Sequence, residues 1–495
     1  MSAVQVSLTE TTGRALRWSY IGVFTRMLFG FGINILMTRL LGPKPFGELA
    51  VAMMVYSFAN LVSNVGVASA LIQKQELDEE DIRFCFTCQM LVGISMALVL
   101  IFSATWWAEF FHEGGVATIL PILSVLFVFQ AFGTTAAALL NRRQDARRVQ
   151  GISIISYLFS YVGFGVPLAL LGAGIWSLVL AQLFQSLLYN VLAYASVRHS
   201  LIPFLDFHHV GLLTFGSRIL GANICNWGIS NLDNAVVGRV AGPMPLGLYT
   251  RAFSLASIPA EGLISSLLQI LLPSLSRIQT DKAKLRKIYA SMLGLVFIIL
   301  GPMFAAMAAV PDVVILGLYG NEWAGAIGSF QPLALAIPIN AVMALSGPLL
   351  AARGKPQREF YMQLITVAVA ATSYIFAIRR SVLLLSWVVL AIYLLRFALL
   401  TRAANNEIEG RWSDLLATTW PGLALAASTA IIARSIKSFL PPLHDTPRLI
   451  LIGGGSALFV FVCFAAFSKV LLRPIFIRSP QLTTLLPSRL QGFVT

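Results

Sequence analysis

Long apolar segments alternate with short polar stretches along almost the whole chain. Each segment holds about 20 mainly apolar residues, which is the length that an α-helix needs to cross the hydrocarbon core of a bilayer. Counted on this basis, the pattern predicts about 14 transmembrane helices. Their approximate ranges are 15–38, 47–72, 84–108, 116–140, 149–171, 174–196, 210–238, 247–274, 288–318, 326–351, 359–378, 381–401, 414–436 and 447–471.

One turn between two of these segments occurs twice. Gly42-Pro43-x-Pro45-x-Gly47 recurs as Gly242-Pro243-x-Pro245-x-Gly247. Glycine gives backbone freedom at the bend and proline cannot continue a helix, so each copy ends one helix and starts the next. The repeat predicts a duplicated chain, and an even number of helices in each half predicts parallel repeats.

The predicted fold is therefore all-α: a polytopic membrane protein of two parallel six-helix lobes and two C-terminal helices. The lobes are predicted at residues 1–200 (helices 1–6) and 201–405 (helices 7–12). Helices 13 and 14 follow at 406–472, and residues 473–495 form a cytoplasmic tail.

Composition and charge placement support the membrane class. The chain is 57% hydrophobic and only 11% charged, which is more apolar than a soluble domain of this size. The net charge of +14 would favour nucleic-acid binding in a soluble protein. Here most of the Lys and Arg residues fall in alternate loops, which predicts contact with membrane lipids, cytoplasmic N- and C-termini and no nucleic-acid partner.

The sequence has no recognisable enzyme motif. It lacks a phosphate-binding loop, a Gly-x-Ser-x-Gly elbow and a His-Glu-x-x-His metal motif. All four cysteines lie in apolar segments, and no second pair or nearby histidine completes a metal site around Cys85 and Cys88. We therefore predict a protein that is not an enzyme and that has neither a metal nor an organic cofactor.

Charged and amide side chains at membrane depth are the candidate functional residues. An Arg at the centre of a transmembrane helix costs about 2.5–3.5 kcal/mol on insertion scales, so it is expected to face a partner or a water-filled cavity. The predicted substrate-binding residues are Arg26, Asn64, Arg218, Asn223, Asn226 and Arg251. Cationic residues in a cavity favour an anionic substrate, and the Arg guanidinium suits a diphosphate.

Two structural alternatives remain open for these charges. Arg218 either lines the cavity or pairs with Asp233 or Glu261 simply to hold helices together. Arg251 and Glu48, which lie near predicted outer helix ends, either belong to the cavity or reach the membrane interface.

The segment Gly22–Arg39, the turn Leu41-Gly42-Pro43-x-x-Phe46-Gly47, Asn64-x-Gly66 and the later copy Gly242–Tyr249 resemble the polysaccharide transporter family of the MOP superfamily. These proteins are the Wzx-type flippases of lipid-linked oligosaccharides. The chain looks most like the exopolysaccharide branch, which serves polymers of the colanic acid, xanthan or succinoglycan type. The resemblance covers residues 14–400 or so, and its motifs mark helix turns.

The resemblance implies a function. Similar proteins move undecaprenyl diphosphate-linked repeat units to the outer leaflet of the bacterial inner membrane, using Arg residues on the first helices of both lobes. Arg26 and Arg218 are the positions that fit. Coupling to a proton or sodium gradient is common among similar proteins, which makes Glu48, Asp233 and Glu261 the candidate ion-coupling carboxylates. A polysaccharide polymerase and a chain-length regulator are the implied protein partners.

Two other functions are weighed against a flippase. A multidrug exporter of the same superfamily would share the helix count, but its cavity would favour carboxylates for organic cations. A membrane polysaccharide polymerase would be an enzyme with a large Arg-containing outer loop, whereas the outer loops predicted here are short.

Overall fold

A computed structural model of the chain describes residues 28–63, 77–143, 145–205, 211–441 and 444–476, together with Thr25, Leu71 and Lys74. Within these, the side chains of 211–223, of 467–476 and of several residues between 263 and 277 lie outside the described set. The described residues contain helices and no strand, which confirms the predicted all-α class.

The helices follow one another with short connections. In chain order they are α1 (Leu28–Leu40), α2 (Pro43–Ser63), α3 (Glu79–Phe111), α4 (Gly114–Arg142), α5 (Ala146–Leu170), α6 (Ile175–Val197), α7 (Gly211–Ala241), α8 (Pro243–Arg277), α9 (Lys282–Ala309), α10 (Pro311–Tyr319), α11 (Asn321–Ala352), α12 (Pro356–Ile378), α13 (Val382–Ile408), α14 (Trp412–Phe439) and α15 (Asp445–Phe476). Among the described residues, 11 helices are long and apolar enough to cross a membrane. This number is consistent with the prediction of about 14 spans.

One predicted helix is divided in the structure. The apolar segment 288–318 forms two helices, α9 and α10, which are separated at Val310. Pro311 is the reason, because proline favours the first turn of a helix and cannot donate the backbone hydrogen bond that would continue the preceding one. Hydrophobicity alone does not show this break.

The repeated turn folds in the same way in both copies. Helix α2 begins at Pro43 and α8 begins at Pro243, each directly after a glycine. Gly242 has a φ of 86°, a conformation that glycine adopts without steric cost. The two turns also lie against each other, with Pro243 beside Gly47 and Pro43 beside Gly247.

The chain divides into two compact units, residues 1–247 and 248–495. In the first unit α3 packs along α4, and α4 packs along α6. Gly93 brings α3 close to α4, since a Cβ atom there would lie 2.6 Å from that of Ala131. The predicted lobes at 1–200 and 201–405 and the separate C-terminal segments stay a prediction.

In the second unit α9 packs along α14 and α11 packs along α13. A Cβ atom on Gly422 would lie 2.8 Å from the backbone nitrogen of Ile298, so this glycine lets α14 approach the backbone of α9. The buried Tyr289 hydroxyl is 2.8 Å from Oγ of Ser346. Helix α14, one of the two C-terminal helices, is thus an integral part of this unit.

The outward faces of the helices carry large apolar side chains. Phe102 is 80% exposed and Phe439 is 88% exposed. Such surfaces are rare on soluble proteins and are expected where lipid replaces water. The chain is therefore a multi-pass membrane protein, as its composition predicts.

Candidate functional site

Helix α7 carries four of the nine predicted site residues, and the two whose side chains are described lie in different environments. Asp233 is buried, and its Oδ1 accepts a hydrogen bond of 2.9 Å from the backbone nitrogen of Asn234. Asn231 donates to the carbonyl oxygen of Trp227 at 3.0 Å, whereas Asn226 is exposed. The indole nitrogen of Trp227 in turn donates to Oγ of Ser57 at 2.9 Å, which ties α7 to α2.

Four of the predicted substrate-binding residues cannot be placed in this geometry. Arg26 and Asn64 lie outside the described residues. Arg218 and Asn223 lie on α7, but their side chains are also outside the described set. Their assignment to the site stays a prediction.

Arg251 lies in the third turn of α8 and is half-buried. Its positive charge acts on the hydroxyl of Tyr319, which is almost fully buried at the end of α10. The assignment of Arg251 to the substrate-binding site stays a prediction.

The two remaining carboxylate candidates are more accessible than Asp233. Glu48 is half-buried on α2, and its Oε1 lies 3.7 Å from Nζ of Lys44, one helical turn earlier. Glu261, on α8, is exposed. Of the three predicted ion-coupling residues, only Asp233 is buried.

A charged group in the second unit was not among the sequence candidates. Glu359 on α12 accepts a hydrogen bond of 2.9 Å from Nε2 of Gln363, and the charge of Arg396 on α13 acts on the same carboxylate. Gly347 makes room for it, since a Cβ atom there would lie 2.8 Å from Oε1 of Glu359. The spacing Glu359-x-x-x-Gln363 was the available signal, but the partner on α13 is distant in sequence.

A polar cavity of about 390 Å³ lies between α4 and α6 in the first unit. Its polar lining residues are Gln130, Thr134, Asn141, Gln182, Gln185, Ser186, Tyr189 and Asn190, and Leu126, Ala137 and Ala138 complete it. None of these residues is among the sequence candidates, whose amides all lie on predicted helices that also carry charged candidates. Their spacing of three and four positions on apolar helices is the signal that would have revealed them.

The basic stretch at residues 142–148 begins with an Arg that has a structural role. Arg142, at the end of α4, donates through Nη1 to the carbonyl oxygen of Leu71 at 2.8 Å and to that of Lys74. Lys74 forms an ion pair of 2.5 Å with the fully buried Asp81. Arg142 and Asp81 therefore fix the segment that precedes α3.

Two cations at the start of α9, in the basic stretch 277–287, contact the residue that follows α13. Lys282 forms an ion pair of 2.6 Å with Glu409, and Nη1 of Arg286 donates to the carbonyl oxygen of Glu409 at 3.1 Å. The hydrogen bond and the positive charge of Lys282 lower the pKa of Glu409. These cations hold the loop between α13 and α14.

No group of three or more potential metal ligands occurs in the described part of the chain. All four cysteines are free thiols.

The helical architecture, the apolar outer surface and the polar side chains within the helices are those of a multi-pass membrane transporter. A profile of the polysaccharide biosynthesis protein family matches residues 36–328. The chain belongs to this family, and thus to the polysaccharide transporter group of the MOP superfamily that the sequence motifs resemble.

Curated relatives cover similar shares of both chains. The succinoglycan biosynthesis transport protein ExoT of Rhizobium meliloti is 30% identical over 73% of this chain and 73% of its own length. The teichuronic acid biosynthesis protein TuaB of Bacillus subtilis is 22% identical over 72% of each chain. The lipopolysaccharide biosynthesis protein WzxC of Escherichia coli is 24% identical over 72% of this chain and 73% of its own.

Solved structures share the fold. The lipid II flippase MurJ, in an inward closed conformation, superposes with a TM-score of 0.71 at 14% identity and covers 92% of this chain and 99% of its own. An inward-facing multidrug resistance MATE family transporter of the MOP superfamily gives a TM-score of 0.59 at 14% identity, over 79% of this chain and 98% of its own. At these identities the likeness establishes the fold.

Proposed function

We propose that this protein moves undecaprenyl diphosphate-linked oligosaccharide repeat units across the bacterial inner membrane during exopolysaccharide biosynthesis. The observation that carries the proposal is the 30% identity to a succinoglycan biosynthesis transport protein over 73% of both chains. The family profile over residues 36–328 also covers every candidate site residue except Arg26.

The proposed mechanism is alternating access around a polar site. Arg26, Arg218 and Arg251 hold the diphosphate, because guanidinium groups stay charged and bind phosphate oxygens through paired donors. Asn64, Asn223 and Asn226 add uncharged hydrogen-bonding groups. The polyprenyl chain stays in the bilayer, so that only the polar head group requires a water-filled path.

The energy source is proposed to be a proton or sodium gradient. Asp233 is the favoured coupling residue among the three carboxylates, because it is buried while Glu48 is half-buried and Glu261 is exposed. The orientation that accompanies this mechanism has both termini in the cytoplasm, as the distribution of Lys and Arg residues predicts. A polymerase and a chain-length regulator are the expected partners on the outer side.

The proposal is tested by deleting the gene in its host and measuring two quantities: secreted polysaccharide and undecaprenyl diphosphate-linked oligosaccharide in the lipid extract. Loss of the polymer with accumulation of the lipid-linked unit is expected. A polymerase mutant would show the same two changes, so sidedness must also be measured. A membrane-impermeant glycosidase added to spheroplasts should leave the accumulated unit intact if translocation is blocked, and should digest it if only polymerisation is blocked.

Unchanged lipid pools together with raised sensitivity to cationic drugs would instead establish the multidrug exporter. Complementation of the deletion then tests the cations. Arg26→Ala and Arg218→Ala should each abolish polymer secretion at normal protein level, whereas Arg379→Ala, an exposed Arg at the end of α12, should restore it. Secretion by both of the first two variants at the wild-type level would exclude a cationic diphosphate site.

A further inference from the structure

The amide-lined cavity between α4 and α6 has no assigned role. Gln130, Thr134 and Asn141 recur along α4 at spacings of four and seven residues. Gln182, Gln185 and Tyr189 recur along α6 at spacings of three and four. Residues at these spacings share one helix face, so two polar stripes on two apolar helices face a common space.

The lining of the cavity suits water or a polar ligand better than lipid tails. Transfer of a side-chain amide from water into a hydrocarbon, where it has no hydrogen-bond partner, costs several kcal/mol of free energy. A cluster of amides is therefore not expected to face lipid tails. The cavity volume of about 390 Å³ is within the range of about 300–1,000 Å³ that is usual for ligand pockets. The space is large enough for more than a few ordered water molecules.

The wall of the cavity is built to a definite shape. Asn190 donates through Nδ2 to the backbone oxygen of Ser186 at 2.8 Å and to its Oγ at 3.3 Å. Its amide group fits against the buried Gly133 of α4, where a Cβ atom would lie only 2.0 Å from Oδ1 of Asn190. The same Cβ atom would lie 2.4 Å from Cβ of Asn190, so any larger residue at 133 would push α6 away from α4.

The chemistry of the lining points to a neutral ligand with many hydroxyl groups. A side-chain amide offers both donors and an acceptor, which matches a sugar hydroxyl that donates and accepts. Thr134, Ser186 and Tyr189 add hydroxyl groups, and an aromatic ring of tyrosine offers a flat apolar face. Because no lining residue carries a formal charge, the cavity offers nothing to balance a phosphate group.

We infer that the cavity between α4 and α6 binds uncharged sugar rings of the oligosaccharide head group, separately from the cations that hold the diphosphate. The inference rests on the proposed function, since only a glycosylated lipid substrate brings both groups to the same protein. The cavity reaches Asn141 in the last turn of α4, the helix end that the charge pattern places in the cytoplasm. A sugar at this end is positioned for loading from the cytoplasmic side.

The test compares two lipids on the purified full-length protein in nanodiscs. One probe is undecaprenyl diphosphate, and the other is the undecaprenyl diphosphate-linked oligosaccharide extracted from cells that lack the protein. The wild type should bind the glycosylated lipid on the order of tenfold more tightly, because several neutral hydrogen bonds are added. The double variant Gln182→Leu/Gln185→Leu should bind both lipids about equally, with unchanged affinity for undecaprenyl diphosphate.

The matched control is Gln357→Leu, which makes the same change at an exposed position in the first turn of α12 and should keep the wild-type preference. Gly133→Ala gives a second approach, because it should weaken the preference by moving α6 away from α4, which changes the shape of the cavity without removing any polar group.

Each other outcome has a distinct meaning. If the wild type binds both lipids equally, the sugar-binding role is wrong while the transport of lipid diphosphates stands. If the double variant keeps the wild-type preference, or loses affinity for both lipids alike, the cavity does not recognise sugar. If the wild type binds neither lipid, the proposed function itself fails, and the sugar-binding role fails with it.

Discussion

The carbonyl oxygen of Pro243 occupies the place where a side chain on Gly47 would begin. A Cβ atom on Gly47 would lie 1.7 Å from this oxygen, and one on Gly247 would lie 1.9 Å from the carbonyl oxygen of Pro43. Real Cβ contacts essentially never fall below 3.0 Å. The first turns of α2 and α8 therefore meet backbone to backbone, and only glycine permits this at both positions.

We expect Gly47→Ala and Gly247→Ala each to separate the two turns and to reduce polysaccharide secretion severely. The added methyl group meets a backbone oxygen, which cannot move aside as a side chain can, so the helices must shift. Overpacking of this kind typically costs about 1–3 kcal/mol. The checks are secretion in a complemented deletion strain and the thermal midpoint of the purified protein.

Gly228→Ala is the matched control for this prediction. Gly228 also lies within a helix, α7, but a Cβ atom there would have no heavy atom within 4 Å. Alanine is favoured over glycine in a helix interior by about 1 kcal/mol, so this variant should be at least as stable as the wild type. Wild-type stability and secretion in Gly47→Ala would show that the close approach of the two turns has no importance.

The two turns also show how far sequence reasoning reaches. The end of α1 and the start of α2 follow from local chemistry, because Gly42 and Pro43 act on neighbouring residues, and the same holds for the second copy. The contact between Gly47 and Pro243 joins residues that are far apart in the chain. No local rule predicts it, although the repeat itself identified both partners.

The residues of the candidate sites likewise fall into two groups: those that local sequence reasoning identifies and those that only the packing of distant helices brings together. Charged residues within apolar segments were found from sequence because charge is conspicuous there, and Asp233 is buried as an internal role requires. The amides of α4 and α6 carry no charge and become a group only when the two helices are brought together. Arg396 likewise acquires its partner, Glu359, only through the packing of α12 against α13.

Asp81 should stabilise the segment before α3. Its carboxylate is fully buried, forms an ion pair of 2.5 Å with Lys74 and accepts a hydrogen bond of 3.1 Å from the backbone nitrogen of Asp78. We expect Asp81→Ala to lower the free energy of unfolding by about 1–3 kcal/mol, because it leaves a backbone donor and a partly buried ammonium without this partner. Unfolding of the purified protein in detergent measures the change.

Glu80→Ala is the control for Asp81→Ala. Glu80 is the neighbouring acidic residue in the first turn of α3, but its side chain is exposed. A surface substitution of this kind is expected to change stability by no more than about 0.5 kcal/mol. Equal effects of the two substitutions would mean that the ion pair and the hydrogen bond of Asp81 do not contribute to stability.

The pair formed by Asp312 and Lys437 should make stability depend on pH. Burial raises the pKa of Asp312, but the hydrogen bond and the charge of Lys437, at 2.6 Å from Oδ2, more than offset this and lower the pKa below its ordinary value. A carboxyl group with a lowered pKa in the folded state stabilises the protein above its unfolded pKa of about 4, and this contribution is lost as the pH falls through the folded pKa.

Asp312→Asn should therefore reduce stability at pH 7, and the difference from the wild type should shrink towards pH 3. Both side chains are about a third exposed, at 34% and 30%, so solvent screening limits the contribution to about 1 kcal/mol or less. Thermal midpoints measured from pH 7 to pH 3 provide the check, and Lys437→Gln should reproduce the same profile. A difference that stays constant over this range would assign the effect to packing.

Asp233 is the carboxylate on which gradient coupling should depend. A coupling residue changes its protonation or binds a cation in a place that is shielded from bulk solvent. Charged groups within transmembrane helices are rare because they are energetically costly, and those that occur often have a function. Asp233 is 6% exposed and holds the backbone nitrogen of Asn234, whereas Glu261 is exposed. We expect Asp233→Asn to abolish gradient-driven secretion and Glu261→Gln to leave it close to the wild-type level.

The measurement is secretion in complemented cells with and without a protonophore, and separately with a sodium ionophore, so that the sensitive treatment identifies the ion. If Asp233→Asn secretes normally and stays equally sensitive to the same ionophore, coupling does not pass through this residue, and Glu48→Gln is the next variant to measure.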